Sequence, residues 1–299
     1  MISSASSTLC RFNPDRALAI GLRMCAAGAG VIVLLIAGFL VYESWPALRE
    51  IGVVRFAGDA SWHPAADATR GSFNLLPMIW GTLYATAGAV LLATPLGILS
   101  AVFSHHYAAP PLARVYRRVI ELLAGIPSVV YGFWGLVVLV PLIRALQPPG
   151  PSLLAGILIL SLMILPTIAL MADAAIAAVP SAQQRAAAAL GLSRWRTVTC
   201  VVLPAARSGL STGIVLGTGR AIGETMAVLM VCGNVVQTPA SVFDPVRTLA
   251  ANIALEMAYA LSDHRSALFV SGLVLLAMIA ALIGVAERLR SHASVNAQA

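Results

Sequence analysis

The sequence predicts an all-α integral membrane protein with six membrane-crossing helices. Only 10% of its 299 residues are charged and 59% are hydrophobic, where a soluble domain carries roughly 25% charge. Mean hydropathy is +0.89. Six apolar stretches also meet or approach the roughly 20 residues a helix needs to cross the hydrocarbon core.

The first stretch, Ala17 to Tyr42, is too long for the apolar core of a secretory leader and lacks an obvious cleavage site, so it reads as a retained anchor. Phe73 to Phe103, Val119 to Leu146 and Leu153 to Ala178 follow, interrupted by Pro77, Pro95, Pro127, Pro141 and Pro166. Prolines there predict kinked or partly re-entrant helices. Leu210 to Val236 and Ser266 to Ala286 complete the set. The longest outer connection, Glu43 to Ser72, carries Trp45 and Trp62, which read as interfacial anchors. Contact with an outside partner is the alternative.

Orientation follows from the arginines, which supply all nineteen basic residues. With both termini cytoplasmic, the inside collects Arg11, Arg16, Arg23, Arg114, Arg117, Arg118, Arg185, Arg194, Arg196, Arg207, Arg288 and Arg290. The outside receives only Arg49, Arg55, Arg70, Arg144, Arg247 and Arg265, and Arg220 falls inside a span. The positive-inside rule therefore selects this topology. The net charge of +7 is a topology signal: no aromatic-interleaved basic patch or nucleic-acid motif accompanies it. Cys10, Cys25, Cys200 and Cys232 show no metal-ligand spacing and no clustering with histidine, so neither a metal site nor a disulfide framework is expected.

One polar run, Arg185 to Pro204, interrupts the apolar chain. Ser181 and Gln184 have capping-box spacing, Ala186 to Leu190 propagate a helix, and Gly191 supplies a left-handed terminus. Ser193 then caps a second short helix carrying Arg194, Trp195 and Arg196, which closes at Leu203 and Pro204. Two short helices with a bend, too charged to cross a membrane, make a docking surface. Trp195 is the side chain expected to bury most area there, although the flanking arginines also suit a Trp resting on lipid headgroups.

This run resembles the cytoplasmic loop of binding-protein-dependent ABC importer permeases, whose pattern is E-A-A-x-x-x-G, nine residues, then I-x-L-P. Ala186, Ala187, Gly191, Leu203 and Pro204 match at full spacing, while Arg185 stands for the Glu and Val201 for the Ile. The stretches E-L-L-A-G-I-P-S-V-V-Y-G (121–132) and G-R-A-I-G-E-T-M-A-V (219–228), followed by Gly233-Asn234, are similar to phosphate-import permeases of the PstC type. Phe56, Gly58, Trp62, Pro64 and Gly81-Thr82-Leu83 add to this. The resemblance implies a type I ABC importer permease (MetI-like) fold, with an N-terminal helix and outer loop over 1–72, the transport core over 73–288 with its coupling loop at 180–207, and a tail at 289–299. It also implies partners: a companion permease of the PstA type, two ATPases of the PstB type that bind ATP and Mg²⁺, and an external phosphate-binding protein of the PstS type, all at the inner membrane. No G-x-x-x-x-G-K-[ST] motif occurs in this chain, so no cofactor is expected on it.

Arg220 and Glu224 lie four apart, a spacing that on a helix puts them on one face. Counted from Leu210, Arg220 falls near mid-bilayer, where a charge costs roughly 2.5–3.5 kcal/mol on insertion scales. Either Arg220 faces a water-accessible substrate pathway with Glu224 holding it, or the two form a buried ion pair that fixes helix register. The resemblance favours the pathway. Gly217, Gly219, Ala221 and Gly223 allow close helix approach in both cases. Ser128 and Tyr131 beside Pro127 are further pathway candidates. Glu121 and Asp173 read as snorkelling side chains, and His105 and His106 as solvated loop residues. A sulfate or molybdate permease is the nearest rival, then a proton-coupled carrier using the Arg–Glu pair as a relay. An intramembrane enzyme ranks last, since the spans contain no nucleophile–base or metal-spaced cluster.

Overall fold

The computed structural model describes residues 14–65 and 71–295; Cys10, Arg11, Arg70 and the last four residues of the tail lie outside the described residues. Among the described residues, six helices are long and apolar enough to cross a membrane: Leu18–Glu50, Leu76–Tyr107, Ser128–Leu146, Leu153–Ala177, Arg194–Ile222 and Ser262–Arg288.

Helix α1 (Pro14–Glu50) starts with proline and Asp15 in its first turn, both suited to a helix N-terminus. It continues past the expected end at Tyr42 because Ala47 and Ile51 are buried with Phe56, Trp62 and Phe73 in one cluster. A small lobe covers that end: α2 (Arg55–Gly58), and the antiparallel pair β1 (Trp62–His63) and β2 (Ser72–Phe73) with Trp62 opposite Phe73. Asp59 ties the lobe together, accepting from the Phe73 amide at 2.8 Å and pairing with Arg55 at 3.2 Å.

Helix α3 (Leu76–Val102) passes into a π-helical turn, Phe103–Tyr107. The segment expected as one span from Val119 is instead divided into α4 (Pro110–Ala124), a break at Gly125–Pro127, then α5 (Ser128–Trp134), a π turn and α6 (Val140–Leu146). Pro127 has no N–H to offer the Leu123 carbonyl. The Tyr131 hydroxyl donates to that carbonyl at 2.8 Å and replaces it.

At the centre stands α7 (Leu153–Ala177), N-capped by Ser152, whose Oγ accepts from the Ala155 amide. Helix α3 packs along it, as does α10 (Leu203–Ile222). The close approach comes from Gly209, Gly213 and Gly217 of α10: a Cβ at each would come within 3.0 Å of Ala175, Met171 and Ile168 respectively. Of the expected small neighbours, Gly217 and Ala221 are therefore packed, whereas Gly219 and Gly223 face no neighbouring element within 4 Å.

Between α7 and α10 lie α8 (Ser181–Ala189), α9 (Arg194–Thr197) and a third π turn, Val198–Val202. The fifth crossing begins at Arg194 and ends at Ile222, not at Val236. After a break come α11 (Met226–Val231), α12 (Leu249–Glu256) and α13 (Ser262–Val295), which pairs with α1. Two of the π turns, Gly135–Leu139 and Val198–Val202, end two residues before Pro141 and Pro204. Widening the turn relieves the clash of the proline ring with the carbonyl four residues back, so the helix passes through.

Candidate transport pathway and coupling surface

Helices α8 and α9 form the expected bent pair, and the bend is well determined. Gly191 has φ +72°; its amide donates to Ala188 at 3.0 Å and that of Leu192 to Ala187 at 3.1 Å, the double closure of a Schellman motif. Ser193 caps α9, its Oγ accepting from the Arg196 amide at 3.4 Å. The Ser181–Gln184 capping box does not form: Pro180 takes the cap position and Ser181 becomes the first helical residue, and a proline cap has neither a side-chain acceptor nor an N–H to share. Nor does the second helix close at Leu203 and Pro204. It continues through the π turn into α10, rooted by Val198 and Val202 in a cluster with Val102, Ile176 and Val179. Ala187 is buried, while Arg185, Ala186, Arg194 and Arg196 are exposed. Leu190 and Trp195 are 80% and 62% exposed, an apolar pair displayed on a charged unit.

Arg220 and Glu224 do not share a helix face, because α10 ends between them at Ile222. Arg220 sits in the last turn of α10, where its charge faces the negative end of the helix dipole. Glu224 lies in the break, and its Oε1 accepts from the Ala227 amide at 3.1 Å at the start of α11. Each ionic side chain thus serves the helix end of opposite polarity. Among the described residues no ion pair or hydrogen bond holds the Arg220 side chain, and it is exposed beside Leu216 and Gly223. On α5, the Tyr131 hydroxyl bridges back to the end of α4. Ser128 begins α5 at the same break. Discontinuous helices are a build that transporters use around ionic substrates, and here the break leaves a guanidinium exposed at the end of α10.

Two polar hubs escaped the sequence reading. Around Glu256, Oε2 accepts from Trp62 Nε1 at 2.9 Å and meets His264 Nε2 at 2.9 Å, while Oε1 accepts from Arg247 Nη1 at 2.6 Å. Arg247 also donates to the Asn234 carbonyl at 3.0 Å, which fixes the left-handed Gly233-Asn234 turn. Trp62, 4% exposed, is therefore no interfacial anchor, whereas Trp45 remains exposed. At the opposite end Asp173 meets His105 at 2.8 Å and Arg117 at 3.0 Å, so Asp173 is paired and His105 and His106 lie in a helical turn, not in a solvated loop. Trp62 and Glu256 stand 194 positions apart; no periodicity or short motif links residues at that separation.

Six crossing helices, a broken helix bearing an exposed charge, and a bent helical pair displayed at one end define a multi-pass α-helical membrane permease. Residues 93–292 match the binding-protein-dependent transport system inner membrane component, and the chain belongs to that family. It is 40% identical to the probable ABC transporter permease protein YqgH of Bacillus subtilis (strain 168), over 87% of this chain and 84% of that protein. It is 34% identical to the phosphate transport system permease protein PstC of Mesorhizobium japonicum, over 95% of this chain and 93% of that protein. Among solved structures, a bacterial alginate ABC transporter shares the fold with a TM-score of 0.62 at 14% identity, over 92% of this chain and 94% of that one. The inward-facing MetNI methionine transporter does so with a TM-score of 0.57 at 18% identity, over 73% of this chain and 94% of that one.

Proposed function

We propose that this chain is the permease subunit of an ABC importer that moves inorganic phosphate across the inner membrane. Its relatives are named as phosphate transport permeases, and the observation that carries the reading is Arg220. It is a permanent cation on an exposed helix face, at a helix break, without a carboxylate partner among the described residues. A planar guanidinium donates in a fork that fits the oxygens of a tetrahedral anion. Glu224, held on the far side of the break, resets the local charge once the anion leaves.

In this reading both termini and the α8–α9 pair are cytoplasmic, and a second permease of the PstA type completes the pathway along the Arg220 face. Two ATPases of the PstB type bind ATP and Mg²⁺ and receive Leu190 and Trp195. A PstS-type protein delivers phosphate to the outer lobe. Labelled phosphate uptake in a strain lacking the native permease tests this. The wild-type chain restores uptake, and Arg220→Gln lowers it ten- to a hundredfold, as loss of about 1.5–3 kcal/mol of hydrogen bonding to a charged group requires. Uptake that is displaced by excess sulfate or molybdate but not by phosphate moves the substrate to those oxyanions. Uptake that survives ATP depletion and collapses with the proton gradient makes the chain a secondary carrier.

A further inference from the structure

Helix α1 has two unlike sides where it approaches the lobe. One is packed: Ser44 and Ala47 are buried, a Cβ at Gly272 of α13 would stand 3.4 Å from Leu40, and the Phe39 ring meets Phe269 of α13 edge-on at 5.6 Å. The other is open. Gly38, Val41, Tyr42, Glu43, Trp45 and Pro46 line a groove of about 720 Å³, within the size range of small-molecule sites. Tyr42 is 75% and Trp45 60% exposed, and a Cβ at Gly38 would meet nothing within 4 Å.

The edge of this groove is polar. Glu43 faces Arg265 of α13 across 3.9 Å, an ion pair too long to be a hydrogen bond. The Arg265 guanidinium also lies over the Phe269 ring, 5.7 Å from its centroid, and its side chain is largely exposed. A carboxylate and a guanidinium therefore stand side by side with hydrogen-bonding capacity left over. Pro46, inside the helix, has no N–H for the Tyr42 carbonyl one turn back, which gives the groove a backbone acceptor as well.

All of this sits toward the end of a segment long and apolar enough to cross a membrane, Leu18–Glu50. Exposed aromatic rings at such an end lie at headgroup level, so the molecule at hand to fill the groove is a lipid. The charges then choose among lipids. A purely anionic headgroup suits Arg265 and opposes Glu43. A zwitterion with a protonated primary amine satisfies both: its phosphate meets Arg265, and its ammonium donates to Glu43 and to the Tyr42 carbonyl. The Tyr42 and Trp45 rings offer cation–π faces to the same ammonium, and Gly38 leaves room for an acyl chain alongside the helix. A quaternary ammonium keeps the cation–π contact but has no N–H to donate. We infer that this groove binds a phospholipid with a primary-amine headgroup, of the ethanolamine class, and that the lipid bridges α1 to α13. The site lies apart from the transport pathway and does not depend on which substrate is carried.

The test measures lipid retained by the full transporter in native mass spectrometry, after incubation with ethanolamine, choline or glycerol phospholipids of identical acyl chains. Wild type holds the ethanolamine lipid about tenfold more tightly than the glycerol lipid, as one hydrogen bond to a charged group implies. Glu43→Gln abolishes that preference. Arg265→Gln weakens all three lipids alike, because each carries the phosphate, and Trp45→Leu lowers retention of the two cationic headgroups about threefold. None of the three side chains is buried, so the unfolding midpoints of the variants in lipid-free detergent stay at the wild-type value. Equal retention of ethanolamine and glycerol lipids by wild type, or a preference that survives Glu43→Gln, overturns the site. A photoreactive benzophenone side chain placed at position 42 in intact cells labels lipid; a crosslink to protein instead makes the groove a partner's seat and overturns the lipid assignment.

Discussion

Arg247 and Arg220 are the same residue type in opposite circumstances. Arg247 is mostly buried and saturated: it bonds Glu256, Asn252 and the Asn234 carbonyl, and Glu256 in turn engages Trp62 and His264. Arg220 is exposed and unpaired among the described residues, in the last turn of a broken helix. The first charge joins the α2–β1–β2 lobe, the Gly233-Asn234 turn and α12–α13 into one unit. The second is left available to something that is not this chain. In a membrane protein an unsatisfied charge is expensive, and in the proposed function the unpaired one receives the anion.

That contrast can be broken most directly at Arg220. Arg220→Gln lowers uptake ten- to a hundredfold, about 1.5–3 kcal/mol, yet leaves thermal unfolding of the purified chain within about 0.5 kcal/mol of wild type, as for a surface substitution; a large loss of stability would make Arg220 structural. Glu256→Gln reverses the pattern, costing about 3 kcal/mol because a buried guanidinium loses its counter-charge, and a lowered unfolding midpoint in detergent reports it. Gly213→Val sharpens the comparison from the packing side. Its new side chain meets Met171 at van der Waals overlap, so about 2 kcal/mol of overpacking strain is expected, measured the same way. The smallest effect is at the α8–α9 pair: Ser193→Ala removes the α9 cap for about 1 kcal/mol, and it shows as faster amide exchange of residues 194–197 with phosphate uptake retained.

The spans are legible in the sequence because each is a local property: twenty or so apolar residues make their case regardless of what surrounds them. The bend at Gly191 is equally legible, since a left-handed residue after an Ala-rich run has few other uses. Proline and glycine mislead when read singly. Pro204 suggests a terminus and Pro127 a kink, but a π turn carries the chain through the first, while the second is a true break patched by Tyr131. Arg220 and Glu224 have the spacing of a helical pair; only the end of α10 at Ile222 separates them.

Composition and periodicity alone determined that the chain is an α-helical membrane protein with a bent polar pair between two crossings, because lipid leaves the backbone few alternatives to the helix. Which charges are spent and which are free was decided by tertiary structure. Glu256 finds Trp62 across most of the chain, and Arg220 finds no counter-charge beside it among the described residues. Such pairing depends on where helices end and which faces they turn toward one another, and neither is written in the spacing of residues along the chain.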